Sequence, residues 1–202
     1  MTLPPDPAVR GFLPDDEGQY LHALALDGTR FGPALEIGSY CGRSTLWLAD
    51  AARQNNSVVF AVDHHRGSEE HQPGEFFHDP TLTDAQGRFD SLPEFRRNIS
   101  ASDLTDNVIP VISSASLLAT YWHSPLGLLF IDGGHSLDAA LADYRGWAHH
   151  VAPGAVLAIH DVFPNTEAGG QAPFTIWQMA SQSGLFAPMG QCGSLRALRR
   201  LS

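Results

Sequence analysis

The chain has 202 residues, 43% of them hydrophobic, enough for one domain with a sizeable core. A formal charge of −10 argues against a nucleic-acid backbone as partner, because phosphate binding needs a basic surface. No apolar run approaches the roughly 18 residues of a membrane span. The first residues lack the basic flank and apolar stretch of a signal peptide. Two cysteines, Cys41 and Cys192, argue against a disulfide scaffold and make a reducing cytoplasm the expected location.

Residues 1–14 are proline-rich and read as an arm or lid, the element that would cross to a partner in a homodimer. Residues 15–29 carry Tyr20, Leu21, Leu24 and Leu26, and a short helix is expected there. Ala34–Ile37 is a short apolar run, expected as a buried parallel strand. Ser44–Arg53 places Leu46, Leu48, Ala49 and Ala52 at a helical period. Ser57–Val62 is the next expected strand, so the order strand, helix, strand predicts a right-handed parallel crossover. Residues 64–92 are rich in His, Glu, Gly and Pro with few aliphatics, and read as a substrate-side loop. A helix is expected to begin over Leu92–Ile99. Strands are expected over Asn107–Ile112, Leu126–Ile131 and Ala155–Ile159. Between the last two, Ser136 suits a helix N-cap. Leu137, Ala140, Leu141, Tyr144, Ala148 and Val151 then follow a helical stripe that Pro153-Gly154 should end. A helix near Phe174–Ser183 and closing strands at residues 186–190 and 194–200 complete the pattern. Alternating strands and helices predict a doubly wound parallel sheet, with ligands beyond the carboxyl ends of its strands.

Gly38 and Gly42 bracket a turn between the first strand and its helix, where backbone can approach a ligand at a helix N-terminus. Asp63 ends the second strand, 21 residues past Gly42, where a carboxylate can accept from two ribose hydroxyls. The Gly-x-x-x-Gly spacing differs from the Gly-x-Gly-x-x-Gly of nicotinamide and flavin dinucleotides. It points to S-adenosylmethionine (SAM). Glu36, inside an apolar strand, needs a donor. A ligand ammonium and a structural bond to the glycine loop are equal readings. Asp132 and Asp161 end neighbouring strands and suit a hard cation, magnesium over zinc. His160 would face away from Asp161 unless the strand ends there. His135 is either a neutral base for a substrate hydroxyl or a helix-start histidine bonded to Asp132 or a backbone group. His64 and His65 either touch substrate or simply begin the loop. His149 and His150 fit a helix C-terminus, and His123 beside Trp122 a structural or surface place.

Leu35–Thr45, Val59–Asp63, Phe130–His135 and Ala155–Asp161 resemble successive motifs of the class I SAM-dependent methyltransferases. Phe130–Ser136, with its helix and Pro153-Gly154, is similar to the branch that includes antibiotic-sugar O-methyltransferases. The Asp63–Glu70 loop resembles that of polysaccharide-methylating members. The resemblance implies one domain over residues 1–202, an α/β doubly wound and mostly parallel seven-stranded sheet with a C-terminal antiparallel strand. It implies SAM contacts from Glu36, Gly38, Ser39, Gly42, Ser44, Asp63, Ser114 and Asp132. The turn would meet the methionine part, Asp63 the ribose, and Ser113-Ser114-Ala115 the adenine side. It further implies magnesium on Asp132, His160 and Asp161, and substrate contacts from His64, His65, Arg66 and Glu69. Members often carry an acidic pair where this chain has His160-Asp161, and some have an acidic residue in place of Gly134, which leaves His135 as the expected base. The expected reaction is O-methylation of a small saccharide. The alternatives are a phenol or catechol acceptor, a SAM-sensing module, and a nicotinamide oxidoreductase.

Overall fold

The computed structural model describes residues 5–72, 74–75 and 78–202. Residues 1–4 of the expected arm, and Pro73, Phe76 and Phe77 of the expected loop, lie outside the described residues. Seven strands form one sheet: β1 (Ala34–Ile37), β2 (Val59–Asp63), β3 (Val108–Ile112), β4 (Leu126–Ile131), β5 (Val151–Ile159), β6 (Phe186–Cys192) and β7 (Leu195–Arg200). Their order is β3-β2-β1-β4-β5-β7-β6. The first five are parallel, and β7 runs antiparallel between β5 and β6. The chain turns back at β1, so β2 and β4 flank it, and the switch in strand order opens a crevice at their carboxyl ends.

Among the described residues, six α-helices flank the sheet: α1 (Asp15–Gly28), α2 (Arg43–Gln54), α3 (Leu92–Ala101), α4 (Ala115–Ala119), α5 (Leu137–Trp147) and α6 (Ala172–Gln182). All six β4 residues are buried. Leu128 and Phe130 pack with Leu21, Trp47 and Phe95 of α1, α2 and α3. Leu129 and Ile131 pack on the other face with Trp147 and Ile176 of α5 and α6. Burial on both faces is why β4 reads as an unbroken apolar run rather than an alternating one.

The expected helix over 137–151 is corrected at its end. α5 stops at Trp147, and Pro153-Gly154 lie inside β5. The β4–β5 register shifts between Leu126 and Leu128, and Gly154 takes φ +82. This irregularity accommodates both residues where a regular strand would reject proline. Ser136 caps α5 as expected, its hydroxyl accepting from the Ala139 N–H. The short α4 has too few residues for a periodic signal and was not expected.

Candidate active site

A cleft of about 580 Å³ lies across the carboxyl ends of β1, β2 and β4. Its first half is built mainly from backbone. Gly38 has φ +87, and a Cβ there would stand 2.2 Å from the Asp132 carbonyl oxygen. Only glycine lets the tips of β1 and β4 meet this closely. Gly42, at φ +94, precedes α2, whose N-terminus no side chain caps. The first-turn amides of α2 are therefore not used up by a cap. Asp63 splints the turn. Its Oδ2 accepts from the Ser39 and Tyr40 N–H groups at 3.0 and 2.9 Å, and its Oδ1 from the His65 N–H at 2.7 Å. A carboxylate has about four acceptor sites, so one is left for a ligand hydroxyl.

Gly38, Ser39, Ser44, Asp63, Ser114 and Asp132 all line the cleft. The buried Ser39 hydroxyl has no partner among the described residues. Glu36 and Gly42 do not line it. Glu36 is fully buried beneath the turn, and its Oε2 accepts from the Thr45 hydroxyl. Its Oε1 has no hydrogen-bond partner among the described residues. Burial pushes its carboxyl up to about 8, helped by Asp132 and Asp63 and opposed by the Ser44 and Thr45 hydroxyls. Of the two readings of Glu36, this placement suits support of the turn better than direct contact with a ligand.

The second half is a chain of side-chain charges. His135 Nδ1 lies 3.0 Å from Glu70 Oε2 and its Nε2 lies 3.1 Å from Asp161 Oδ2. Asp161, though burial opposes it, is held below the usual carboxylate range by His135 and His160. His135 is pushed up to about 9, chiefly by its bond to Asp161 against the cost of burial, with Glu70 adding. The expected neutral imidazole is thus an imidazolium at neutral pH in this arrangement. Behind it, His160 Nδ1 donates to Asp132 Oδ1 at 2.9 Å and its Nε2 to Glu17 Oε2 at 2.6 Å. His160 is buried, yet these carboxylates outweigh desolvation and push it up to about 12.

His160 stands apart from the converging ligand candidates, because both its ring nitrogens face carboxylates, Asp132 and Glu17, at hydrogen-bond distance. Asp132, His135 and Asp161 instead bring ligand atoms within 4.8 Å of one another. β5 ends at Ile159 and Asp161 adopts φ +53, which turns its carboxylate to the same side as the His160 ring. Magnesium is commonly held by one or two carboxylates with waters completing its shell, so Asp132 and Asp161 fit such an ion.

The loop residues expected at the substrate divide into two groups. His64 and Glu69 line the cleft, but His65 and Arg66 do not. His65 takes φ +58, which sends its ring inward to Ser91 and Phe95. Arg66 turns outward to Asp84 and the Phe89 carbonyl. Residues not anticipated from the sequence include Glu70, Glu17, Asp143 and an aromatic wall of Phe12, Tyr40 and His71. Glu17 shares the helical stripe of Leu21 and Leu24, and Asp143 that of Ala140 and Trp147. A carboxylate on a buried stripe is a signal the sequence does contain.

Residues 35–162 match the model of a family described as "Methyltransferase domain". The chain belongs to that family and is a class I, SAM-dependent methyltransferase. Solved structures share its fold at low identity. An O-methyltransferase from Bacillus cereus, in complex with SAH, is 18% identical, with 96% of this chain and 84% of that one covered and a TM-score of 0.63. The O-methyltransferase TomG from Streptomyces achromogenes, involved in tomaymycin synthesis and in complex with SAM, is 16% identical, with 97% and 83% covered and a TM-score of 0.63. A rRNA methylase from Streptococcus thermophilus is 14% identical, with 92% and 94% covered and a TM-score of 0.56. The fold is thus shared by enzymes with very different acceptors, and the acceptor must be argued from the site. No helix among the described residues is long and apolar enough to cross a membrane.

Proposed function

We propose that this protein transfers the methyl group of SAM to a hydroxyl of a small saccharide. The observation that carries the reading is the Glu70–His135–Asp161 chain at the wall of a cleft whose other end is the glycine turn. A hydroxyl must lose its proton to become methylated, and acid–base machinery at that point is what an oxygen acceptor requires. The turn suits SAM. Ser39 offers an unpartnered buried hydroxyl, α2 an uncapped N-terminus for a carboxylate, and Asp63 a remaining acceptor site for ribose. A net charge of −10 disfavours an RNA acceptor. At the mouth, Phe12, Tyr40 and His71 form a wall on which a sugar ring can stack, beside His64 and Glu69 for its hydroxyls. The finest form of the reading, the 1-hydroxyl of a methylmannoside precursor, rests on the likeness of the Asp63–Glu70 loop to that of the mycobacterial methylmannose polysaccharide 1-O-methyltransferase. The aromatic wall equally suits a phenol or catechol, which is the second reading.

The sulfonium, when bound, supplies an electrophilic methyl carbon. The acceptor oxygen would form the new C–O bond as the C–S bond breaks, and the hydroxyl proton would pass to His135 in the fraction of molecules whose imidazole is neutral, a fraction that grows as pH approaches about 9. A magnesium ion on Asp132 and Asp161, when bound, supplies charge that acidifies a nearby hydroxyl. Glu70 and Asp161 fix the His135 ring and stabilise the charge it gains. The same pair keeps His135 protonated up to about pH 9, so turnover should climb with pH toward that value.

A labelled-methyl assay on saccharides and catechols, with magnesium or with a chelator, tests the acceptor and the metal together. His135→Ala should lower kcat by roughly 10²–10⁴-fold while SAH affinity stays within about twofold. Full activity in that variant would remove His135 as the base.

A further inference from the structure

Arg43 opens α2, and the chemistry above draws only on the backbone around it. Its side chain leaves the helix and grips the N-terminal arm. Nε donates to the Leu13 carbonyl at 2.9 Å, Nη1 to the Val9 carbonyl at 3.1 Å, and Nη2 to Asp15 Oδ1 at 2.6 Å. A planar guanidinium can hold three such acceptors at once, which a lysine ammonium on its flexible stem matches poorly. The two carbonyls bracket residues 10–12, and Arg10, Gly11 and Phe12 all line the cleft. Among the described residues, 10–13 make no backbone–backbone hydrogen bond, so the guanidinium takes the place of secondary structure here. Val9 and Leu13 are buried and fix where the arm lies, while the bonds to their carbonyls fix how it is turned. Gly11 rests on the Arg43 stem, where an added Cβ would stand 2.6 Å from the Arg43 Cβ.

Phe12 belongs to the acceptor wall of the proposed function, on which this inference rests. Its ring lies 5.5 Å from that of Tyr40 in the glycine turn, yet Phe12 is 57% exposed, so its place depends on the backbone that carries it. We infer that Arg43 is a positioning residue for methyl transfer, acting through Phe12 to tie the acceptor wall to the helix start that borders the cofactor. A firm link between the two keeps an acceptor hydroxyl aligned with the sulfonium, and a misplacement of about 1 Å can cost roughly 10²-fold in rate. On the opposite side, Arg10 donates to Asp79 Oδ2 at 2.6 Å and to the Thr81 hydroxyl at 2.5 Å, so the same segment is held at the loop as well.

A labelled-methyl assay with methyl mannoside and with catechol, run beside calorimetry with SAH, tests this on Arg43→Met, Gly11→Ala and Phe12→Ala. Arg43→Met should lower acceptor kcat/KM by roughly 10- to 100-fold while SAH affinity stays within about threefold. Gly11→Ala keeps the Arg43 and Phe12 side chains but pushes the arm off the Arg43 stem. It should show the same kind of loss, even where Arg43→Met fails to fold. Phe12→Ala should also lower kcat/KM, and adding either other change to it should cost at most about twofold more, because all three act at one place. A side chain that merely braced α1 through Asp15 would give losses that add. Additive losses, an unaffected Phe12→Ala, or a Gly11→Ala protein within about twofold of wild type would overturn the inference and leave the proposed function standing. A loss of SAH affinity as large as the loss of kcat/KM overturns it too, by placing Arg43 at the cofactor. A wild type that binds SAH but methylates neither probe would bring down the proposed acceptor and this inference with it.

Discussion

The two halves of the cleft are built on different principles. The glycine-turn half uses backbone: one carboxylate, Asp63, gathers three amides that lie within 24 residues of it. The opposite half uses side chains from distant parts of the chain. Glu17 reaches His160 across 143 residues, and Glu70 reaches His135 across 65. The first half keeps its remaining polar groups ready for a ligand. The second satisfies its charges internally, so a ligand or cation that enters must exchange for an existing ion pair. Binding is therefore expected to depend on the first half, and rigidity and acid–base behaviour on the second.

The largest effect should come from breaking the second half. Glu17 accepts from His160 and from the Ser194 N–H, and both partners of the Glu17–His160 pair are nearly inaccessible to solvent. Glu17→Ala leaves a buried imidazolium facing an empty space and should cost about 3–5 kcal/mol. Urea unfolding measures it. A loss below about 1 kcal/mol would mean that the network does not hold α1 to the sheet.

The contrast also explains what the sequence revealed. The glycine turn, Asp63, Asp132 and Asp161 were legible because each sits at a strand end, and strand ends are marked by apolar runs that stop abruptly. The parallel sheet was legible for the same reason. The Glu17–His160 contact was not, since it depends on how α1 packs against β5 and on the β6–β7 turn that brings Ser194 alongside. His160 enters the expected metal set through the resemblance, which implies ligands after β5, and no local pattern announces its contact with Glu17. The resemblance implies substrate contacts from His65 and Arg66, but a single residue at φ +58 turns one side chain inward and leaves the next outside.

Glu36 sharpens the comparison through pH. Its carboxyl titrates near 4.5 when free and at about 8 in the folded chain. Between those values the folded state binds more protons than the unfolded one, so stability falls as pH rises and the penalty is complete above about 8. Glu36→Gln cannot ionise. Its stability relative to wild type should grow by something on the order of 3 kcal/mol from pH 5 to pH 8. Taking the difference between the two proteins cancels the raised values of His135 and His160, which also weaken the fold at high pH. Parallel stability curves would show that Glu36 finds a partner to hold its charge.

Gly38→Ala attacks the backbone half. It forces a side chain to φ +87 and toward the Asp132 carbonyl. A cost of about 2 kcal/mol is expected, with SAH affinity reduced more than stability because the turn itself is displaced. Calorimetry beside thermal unfolding separates the two losses. A variant that binds SAH normally would show that β1 and β4 can part without disturbing the turn.

The smallest effect tests the loop. Arg66 has a half-exposed side chain paired with Asp84, a surface ion pair worth less than about 1 kcal/mol. Arg66→Ala should leave acceptor KM within about twofold of wild type, because its guanidinium points away from the cleft. His64 lies only two residues back yet lines the cleft, and His64→Ala should raise acceptor KM with little change in SAH affinity. The pair makes a sharp internal control, since both side chains belong to the same turn and differ chiefly in direction. A reversed ranking, with KM rising in Arg66→Ala and unchanged in His64→Ala, would mean that the loop repacks around the bound acceptor and that Arg66 joins the site only then.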